Sequence, residues 1–248
     1  GNQPSFSDLA GKSLKGSCSG ELWSMRRNDE GGYLRGEETR ARILAAAVDL
    51  FGNKGFDAVT TRDVAAAASV PPASLRYYFE NKRGLYIACL EHVQQHLYKL
   101  VEPALMAAEA LLEDENSPVD QLIESYCALQ DARIESLMGG PDNGTAALFT
   151  IRHDLPSEGG AGELVGDAMS IRRMAACYLR MMVRISGDTL DVQSALIVTA
   201  MLNGELVNIC LRRNRLAQMG WDITPERLEW MKRTVRQHTR AVLESYRT

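Results

Sequence analysis

Apolar residues recur along most of the chain at the three- and four-residue spacing of amphipathic α-helices. The first such segment places five of them at positions i, i+3, i+4, i+7 and i+8 of one helix face: Ile43, Ala46, Ala47, Leu50 and Phe51. We find no segment with the strict two-residue alternation that is typical of a half-buried strand. The pattern therefore predicts an all-α protein.

Segments rich in Gly, Pro, Asp and Asn interrupt this helical pattern and indicate how the chain is organised. They lie at residues 113–118, 139–144, 156–162, 187–191 and 219–225. Residues 1–32 are rich in Gly and Ser and contain few regularly spaced apolar residues, so we assign them to a flexible N-terminal tail. The rest of the chain is predicted to form an N-terminal helical domain at residues 33–84 and a larger helical domain at residues 85–248.

The segment 60–85 predicts two short helices that are separated by a tight turn. Thr60 can cap the first helix, which we expect to run over residues 61–68, and Asp63 completes a capping box. Pro72 follows another proline and suits the first turn of the second helix. Two short helices joined in this way form a helix-turn-helix, and the second helix of such a motif lies in the major groove of DNA.

The second helix offers side chains that suit this role. Its inward positions are Leu75, Tyr78 and Phe79, and its outward positions are Pro72, Ala73, Ser74, Arg76 and Tyr77. Arg76 can pair with guanine or hold a phosphate, Ser74 can hydrogen-bond to either group, and Pro72 or Ala73 can touch a thymine methyl group. We therefore predict binding to double-stranded operator DNA. A solvated helical hairpin with surface charge is the alternative.

Residues near this helix add further candidate contacts. Tyr77 and Tyr78 carry hydroxyl groups, and Lys82 begins the next helix, where a cation and free backbone N–H groups together suit a phosphate. The charge distribution adds little, because residues 26–83 carry ten Lys and Arg against eight Asp and Glu, whereas residues 84–248 carry sixteen against twenty-two.

Composition and motifs argue against several other classes of protein. The chain has 45% hydrophobic and 24% charged residues, no run of eighteen apolar residues and no signal-peptide pattern, so we expect a cytoplasmic protein with no membrane association. The five scattered cysteines indicate neither disulfides nor a zinc site. His92 and His96 have the spacing of metal ligands but lack an evident third ligand, and no catalytic motif occurs. We predict no enzyme activity, no cofactor and no metal.

The segment from Arg35 to Tyr86 resembles the N-terminal domain of the TetR family of bacterial regulators. The matching positions are Leu50, Phe51, Gly55, Thr60, Thr61, Ala65, Val70, Leu75, Phe79, Lys82 and Leu85. The resemblance implies that Thr61, Tyr78 and Lys82 contact phosphates, that Arg62 reads a base, and that residues 72–77 carry base recognition. Ser69 replaces a left-handed glycine of the family, which implies backbone strain, and Arg76 replaces a common tyrosine, which leaves its role open.

The rest of the chain resembles more loosely the CerR-type C-terminal domain of a subset of this family, through the segments 152–156 and 219–222. Such a domain implies a small-molecule effector, here of unknown identity. A methionine-rich helix at residues 163–186 and its neighbours supply candidate ligand-binding residues: Tyr126, Cys127, Phe149, Arg152, His153, Met169, Cys177, Arg180 and Met181. A plain hydrophobic core that contains methionine as a filler is the alternative.

The last two helices, at about residues 191–216 and 224–247, carry more apolar positions than one packed face needs. The stripes are Val198, Leu202 and Leu206 on the first helix and Leu228, Val235 and Val242 on the second. We predict a homodimer through these helices, with packing inside the protomer as the alternative. The predicted function is a ligand-responsive regulator, a repressor released from a palindromic operator by its effector. An architectural DNA-binding protein without an effector is the second candidate.

Overall fold

Helices form every regular element in the part of the chain that the structure, a computed structural model, describes. That part comprises residues 21–140, 144–154, 169–187 and 189–247, with side chains described at residues 35–140, 144–152, 172–187 and 189–247. The helices are α1 (Glu21–Lys54), α2 (Thr61–Ala67), α3 (Pro72–Tyr78), α4 (Lys82–Glu113), α5 (Val119–Met138), α6 (Thr145–Asp154), α7 (Met169–Ser186), α8 (Val192–Gln218) and α9 (Pro225–Ser245). The all-α prediction is confirmed.

The chain divides into two units, residues 1–41 and residues 42–248. In the first unit the described residues belong to the beginning of α1, which starts at Glu21. Residues 21–32, which the sequence analysis assigned to the tail, are therefore helical, and the boundary after residue 32 falls inside α1. The glutamate, leucine, methionine and arginine residues of this stretch are good helix formers and outweigh its two glycines.

In the second unit, the end of α1 packs with α2, α3 and the beginning of α4 around one hydrophobic core. Phe51 and Tyr86 lie at its centre, with ring centroids 5.1 Å apart. The core continues along α4 to Val93 and includes Phe149 of α6. Helix α4 runs without interruption through the predicted domain boundary between residues 84 and 85 and contributes to this core as far as Val93, and the division into domains at that point stays a prediction.

The other helices enclose two further cores. One lies mainly among α4, α5, α7 and α8, and the other mainly among α5, α8 and α9. Gln130 links these helices through buried hydrogen bonds, because its Oε1 accepts from the hydroxyl of Thr239 at 2.6 Å and its Nε2 donates to the carbonyl oxygen of Leu202 at 3.3 Å. Each buried polar group of this side chain is therefore satisfied.

Helix α8 has one buried face and one exposed face. Ala195, Leu202 and Leu206 pack into the protomer, whereas Ile197 and Met201 are exposed. By length and composition alone α8 is apolar enough to cross a membrane, but a single helix of this kind is weak evidence for a span, and part of this one is buried against its neighbours.

Candidate nucleic-acid interface and internal cavity

The N-terminus of α2 is fixed by a reciprocal pair of hydrogen bonds. The backbone N–H of Asp63 donates to the hydroxyl of Thr60 at 3.2 Å, and the backbone N–H of Thr60 donates to a carboxylate oxygen of Asp63 at 2.8 Å. Hydrogen bonds from Thr60 hold the pKa of Asp63 below its ordinary value. The predicted capping box is confirmed, and it sets the orientation of Thr61 and Arg62 in the first turn of α2.

The turn between α2 and α3 has the hydrogen bonds of a Schellman motif. The N–H of Val70 donates to the carbonyl oxygen of Ala65 at 3.0 Å, and the N–H of Ser69 donates to that of Ala66 at 3.1 Å. Ser69 occupies the left-handed position with a φ of 54°, where glycine is the usual residue. The expected backbone strain at Ser69 is therefore present. It lies in the turn that sets the orientation of α3 relative to α2.

Helix α3 presents one buried face and one exposed face. Leu75 and Phe79 are 3% and 7% exposed, so they anchor the helix in the N-terminal core. The exposed positions are Pro72, Ala73, Arg76 and Tyr77, while Ser74 and Tyr78 are half-buried. The predicted division of the helix is confirmed at its anchors and at four of its outward positions, and Tyr78 keeps part of its surface accessible.

The first turn of α4 brings a cation next to α3. The side chain of Asn81 caps the helix by accepting from the N–H of Gly84 at 2.8 Å. The ammonium group of Lys82 lies 4.2 Å from the centroid of the Phe56 ring, a cation–π contact that restricts the position of this flexible side chain. A restrained cation beside the free N–H groups of a helix N-terminus is a favourable partner for a phosphate.

Six of the nine predicted DNA contacts line one groove, which has a volume of ≈ 680 Å³ and which we call the α2–α3 groove. These six are Thr61, Arg62, Pro72, Ala73, Arg76 and Lys82. Ser74, Tyr77 and Tyr78 do not line it. The side chains that do so combine two guanidinium groups, an ammonium group and a hydroxyl, which are the groups that bind phosphates and base edges.

Besides the anchors Leu75 and Phe79, two polar residues that were not predicted as DNA contacts also line the α2–α3 groove, Glu80 and Asn81. Asn81 was detectable as a polar helix cap directly before Lys82. Glu80 had no signal that set it apart from an ordinary surface carboxylate. Its negative charge opposes phosphate binding, so the groove is less basic than its arginines alone indicate.

The predicted ligand-binding residues do not converge on one site. Tyr126, Cys177 and Met181 are fully or almost fully buried in the core among α4, α5, α7 and α8, and Cys127 is buried as well. Burial raises the pKa values of the Cys127 and Cys177 thiols to about 11, so both are neutral packing groups at pH 7. Four of the nine candidates therefore belong to close-packed structure.

The other candidates are dispersed. Phe149 packs against Tyr86 in the N-terminal core, with ring centroids 5.0 Å apart, so its assignment to a ligand site is corrected. Arg180 is half-exposed and pairs with Glu113 at 3.4 Å, and Arg152 is exposed. The side chains of His153 and Met169 lie outside the described residues.

A cavity of ≈ 150 Å³, which we call the central cavity, lies among α4, α5, α6, α7 and α8. Its lining residues are Gln94, Leu97, Tyr98, Val101, Arg133, Ser136, Leu137, Thr150, Ile151, Met174 and Val207. Met174 belongs to the methionine-rich helix that was predicted to help form a ligand pocket, whereas none of the nine predicted ligand contacts lines the cavity. A usable signal was Arg133, because it lies on the same helix face as the buried residues Tyr126, Leu129 and Gln130.

The exposed apolar residues of α8 and α9 lie on a common surface, the α8–α9 face. It comprises Ile197 and Met201, which are 60% and 70% exposed, and a neighbouring groove of ≈ 430 Å³ that Ile209, Met219 and Trp230 help to line. In contrast, the stripe residues Leu202, Leu206, Leu228 and Val235 are buried within the protomer. Their predicted role as dimer contacts is corrected, since periodicity located the apolar stripe but not the surface that covers it.

His92 and His96 are exposed on α4 and line a shallow cavity together with Asp49. Among the described residues, no group of three His, Cys, Asp or Glu side chains is arranged to hold a metal ion. The pair adds nothing to the α2–α3 groove or to the central cavity.

Known proteins resemble this chain in the helix-turn-helix segment and, at lower identity, over most of its length. Residues 43–89 match the model of the family described as bacterial regulatory proteins, tetR family. The chain is 26% identical over 216 residues to the HTH-type transcriptional dual regulator CecR of Shigella flexneri, and the match covers 85% of this chain and 94% of that protein. A shorter match, 38% identical over 45 residues, covers 18% of this chain and 24% of the negative transcriptional regulator IcaR of Staphylococcus aureus.

Solved structures share the fold over most of the chain. A TetR-like transcriptional regulator from Rhodococcus sp. RHA1 superimposes with a TM-score of 0.55 at 17% identity and covers 84% of this chain and 92% of its own. AmtR of Mycobacterium smegmatis gives a TM-score of 0.55 at 18% identity, covering 82% and 85%. The CerR-type character of the C-terminal domain stays a prediction. The family match lies on the helix-turn-helix whose geometry is described above, and CecR, which matches over most of the chain, is a transcriptional regulator: residues 43–89 match the DNA-binding part of the tetR family, and the chain as a whole is similar to regulators of that family.

Proposed function

We propose that this regulator is a repressor whose homodimer binds a near-palindromic operator and leaves it when a small molecule occupies the central cavity. The DNA-binding part of the proposal is supported by the convergence of Arg62, Arg76 and Lys82 on the α2–α3 groove. The negative sense of regulation is carried over from IcaR, which is a negative regulator. We place the protein in the cytoplasm and without enzyme activity, as its regulator relatives indicate.

The observation that carries the effector part is the position of α6. Phe149 packs in the N-terminal core against Phe51 and Tyr86, and the next two residues, Thr150 and Ile151, line the central cavity. A ligand that displaces Thr150 or Ile151 therefore acts on the same short helix that contacts the DNA-binding part. Since α4 also borders both the N-terminal core and the cavity, two helices connect the sites.

Close contact between α6 and α1 makes this connection stiff. A Cβ atom at Gly52 of α1 would lie 2.9 Å from the carbonyl oxygen of Thr145 and 3.0 Å from its Cγ2. Packed interfaces of this kind have discrete arrangements rather than a continuous range of positions. We infer that ligand binding shifts the population between two arrangements of the DNA-binding parts in the dimer.

The DNA-binding part is tested by removing one candidate base contact and one candidate phosphate contact. We expect Lys82→Ala to weaken binding to all DNA sequences alike and to reduce the salt slope by about one, because it removes one phosphate contact. Arg76→Ala should weaken the free energy of binding by about 1–3 kcal/mol, mainly on the specific operator, because it removes a base contact. Fluorescence anisotropy on footprinted operator and on random duplex at several salt concentrations measures both effects.

Lys99→Ala is the matched control for this experiment. Lys99 is an exposed lysine on the same helix as Lys82, about 25 Å further along α4. It should leave operator affinity and salt slope unchanged. Unchanged affinity in all three variants would show that the α2–α3 groove does not bind DNA.

The effector part is tested through thermodynamic linkage. A ligand that prefers the DNA-free arrangement by about a hundredfold lowers operator affinity by about 2.7 kcal/mol per site, and operator DNA must weaken ligand binding by the same factor. Small molecules that raise the melting temperature in a thermal-shift screen are titrated by calorimetry with and without operator. Equal affinities for every ligand would favour the second candidate, an architectural DNA-binding protein without an effector.

The dimer is proposed on the α8–α9 face. Exposed apolar groups on two adjacent helices, with Ile197, Met201 and Trp230 prominent among them, are costly in water, and a second copy of the same face would cover them. Two such helices from each protomer form a four-helix interface. The two recognition helices of the dimer would then bind half-sites one DNA turn apart, about 34–36 Å.

A further inference from the structure

The central cavity contains a positive charge that no described carboxylate neutralises. Arg133 is the charged member of its described lining residues, which are otherwise apolar or neutral. The guanidinium donates through Nη1 to the Oδ1 of Asn203 at 2.9 Å, and its Cζ lies 5.8 Å from the centroid of the Tyr178 ring. These contacts hold the guanidinium in place but use one of its five N–H donors, so most of its hydrogen-bonding capacity is available to a ligand.

Tyr98, which also lines the cavity, carries a second donor, its hydroxyl group. This hydroxyl accepts from Nη1 of Arg173 at 2.6 Å, which leaves its own proton free to donate. The hydroxyls of Ser136 and Thr150 instead donate to backbone carbonyl oxygens, at 3.0 Å and 3.2 Å. The free donors, Arg133 and Tyr98, match a group that only accepts, which is a carboxylate.

Apart from Gln94, the remaining surface of the cavity is apolar, and its volume indicates the size of ligand that fits. Leu97, Val101, Ile151 and Met174 form much of the wall. Its volume of ≈ 150 Å³ equals that of a protein cavity, also about 150 Å³, that holds a benzene molecule. An apolar body of roughly one aromatic ring therefore fits, and the flexible side chain of Met174 can adapt to its shape.

We propose that the central cavity binds a small carboxylic acid in its ionised form, with an apolar body of about one ring and with the carboxylate on Arg133 and Tyr98. The inference rests on the proposed effector function, because it names the chemical class of that effector. Arg133 is assigned as the residue that selects acids over neutral compounds of the same shape.

The test uses two matched pairs of probes, benzoate with benzamide and hexanoate with 1-hexanol, titrated into the protein by calorimetry. Each acid should bind at least tenfold more tightly than its neutral partner, because charge-assisted hydrogen bonds exceed neutral ones. Arg133→Gln should weaken benzoate binding at least tenfold and change benzamide binding less than threefold. Arg180→Gln, which removes a guanidinium outside the cavity, should change neither.

A second variant tests the location independently of charge. Val207→Phe fills the cavity from α8 and should abolish binding of all four probes, while an unchanged or raised melting temperature shows that the fold is kept. Equal binding of acids and neutral partners to the wild-type protein would overturn the proposal. Benzoate binding that survives either Arg133→Gln or a folded Val207→Phe would also overturn it.

Operator binding separates this inference from the proposed function. If benzoate binds through Arg133 but leaves operator affinity unchanged, the carboxylate site is supported and its role as an effector site fails. If no acid binds selectively while a neutral compound from the thermal-shift screen releases the operator, the effector function is supported and the carboxylate inference fails.

Discussion

Ser69 holds a backbone conformation that costs free energy for any residue with a Cβ atom. Its φ of 54° lies in the left-handed region, where a non-glycine residue is disfavoured by about 1–2 kcal/mol. We expect Ser69→Gly to raise the free energy of unfolding by about 0.5–1 kcal/mol, since relief of strain exceeds the entropy that glycine adds to the unfolded chain. Urea denaturation monitored by circular dichroism measures the change.

A glycine placed three residues earlier should change the free energy of unfolding in the opposite direction. Ala66 is exposed in the regular part of α2, so Ala66→Gly should lower the free energy of unfolding by about 1 kcal/mol. If both variants are less stable than the wild type, the Schellman turn does not store strain at Ser69.

Local chemistry allowed this turn to be predicted from the sequence, whereas the ligand residues were not. The cap at Thr60 and the inward Leu75 each follow from a few neighbouring residues, and the left-handed Ser69 was implied by the resemblance to the TetR family. Met181 was selected as a residue of the methionine-rich helix and Tyr126 as a residue of a neighbouring helix, but such residues form packed cores as well as cavity walls. Only the packing of five helices distinguishes the two, and it leaves the free space beside Arg133 instead.

At the scale of elements, helices α1 and α6 pack closely at Gly52, where a side chain would have no room. We expect Gly52→Ala to lower the free energy of unfolding by about 1–3 kcal/mol, because its Cβ would lie 2.9 Å from a backbone oxygen of α6 that cannot rotate away. Thermal and urea denaturation both report this loss.

Gly84→Ala is the control for the helix-propensity part of this change. A Cβ at Gly84 would have its nearest contact at 3.7 Å, to the Oδ1 of Asn81, which is an ordinary separation. The free energy of unfolding of this variant should therefore rise by up to about 1 kcal/mol. Two stabilised variants would mean that α6 is free to move away from α1, and the proposed coupling through α6 would lose its support.

The helices and their breaks were predictable, but the grouping of helices into cores was not. Turn residues marked the end of α4 and the beginning of α5, and the caps marked α2 and α9. The inclusion of Phe149 in the N-terminal core joins residues far apart in the chain, and no local pattern reports such a contact.

At the scale of the whole molecule, periodicity predicts an apolar stripe but does not tell what covers it. Leu228 and Val235 were assigned to a partner and are buried in the protomer. The exposed residues Ile197 and Met201 lie on the opposite side of α8 from Leu202 and Leu206. A helix that is apolar on both sides needs two partners, and the protomer supplies one.

The second partner is tested by placing charge on the exposed side of α8. The wild-type protein should have twice the chain mass of 27.4 kDa in multi-angle light scattering at micromolar concentration. The double variant Ile197→Glu/Met201→Glu should shift this mass towards one chain, because dimerisation would bury four uncompensated carboxylates. Helical content should be unchanged, since both side chains are exposed in the protomer.

Met106→Glu is the matched control, because Met106 is 57% exposed on α4 and lies outside the α8–α9 face. It should leave the dimer mass unchanged. Operator affinity should follow the mass, since a monomer with one recognition helix loses the effective concentration that a linked second helix provides. A wild-type mass of one chain, or a double variant that remains dimeric, would show that the α8–α9 face is not the interface and that the proposed spacing of the two recognition helices has no basis.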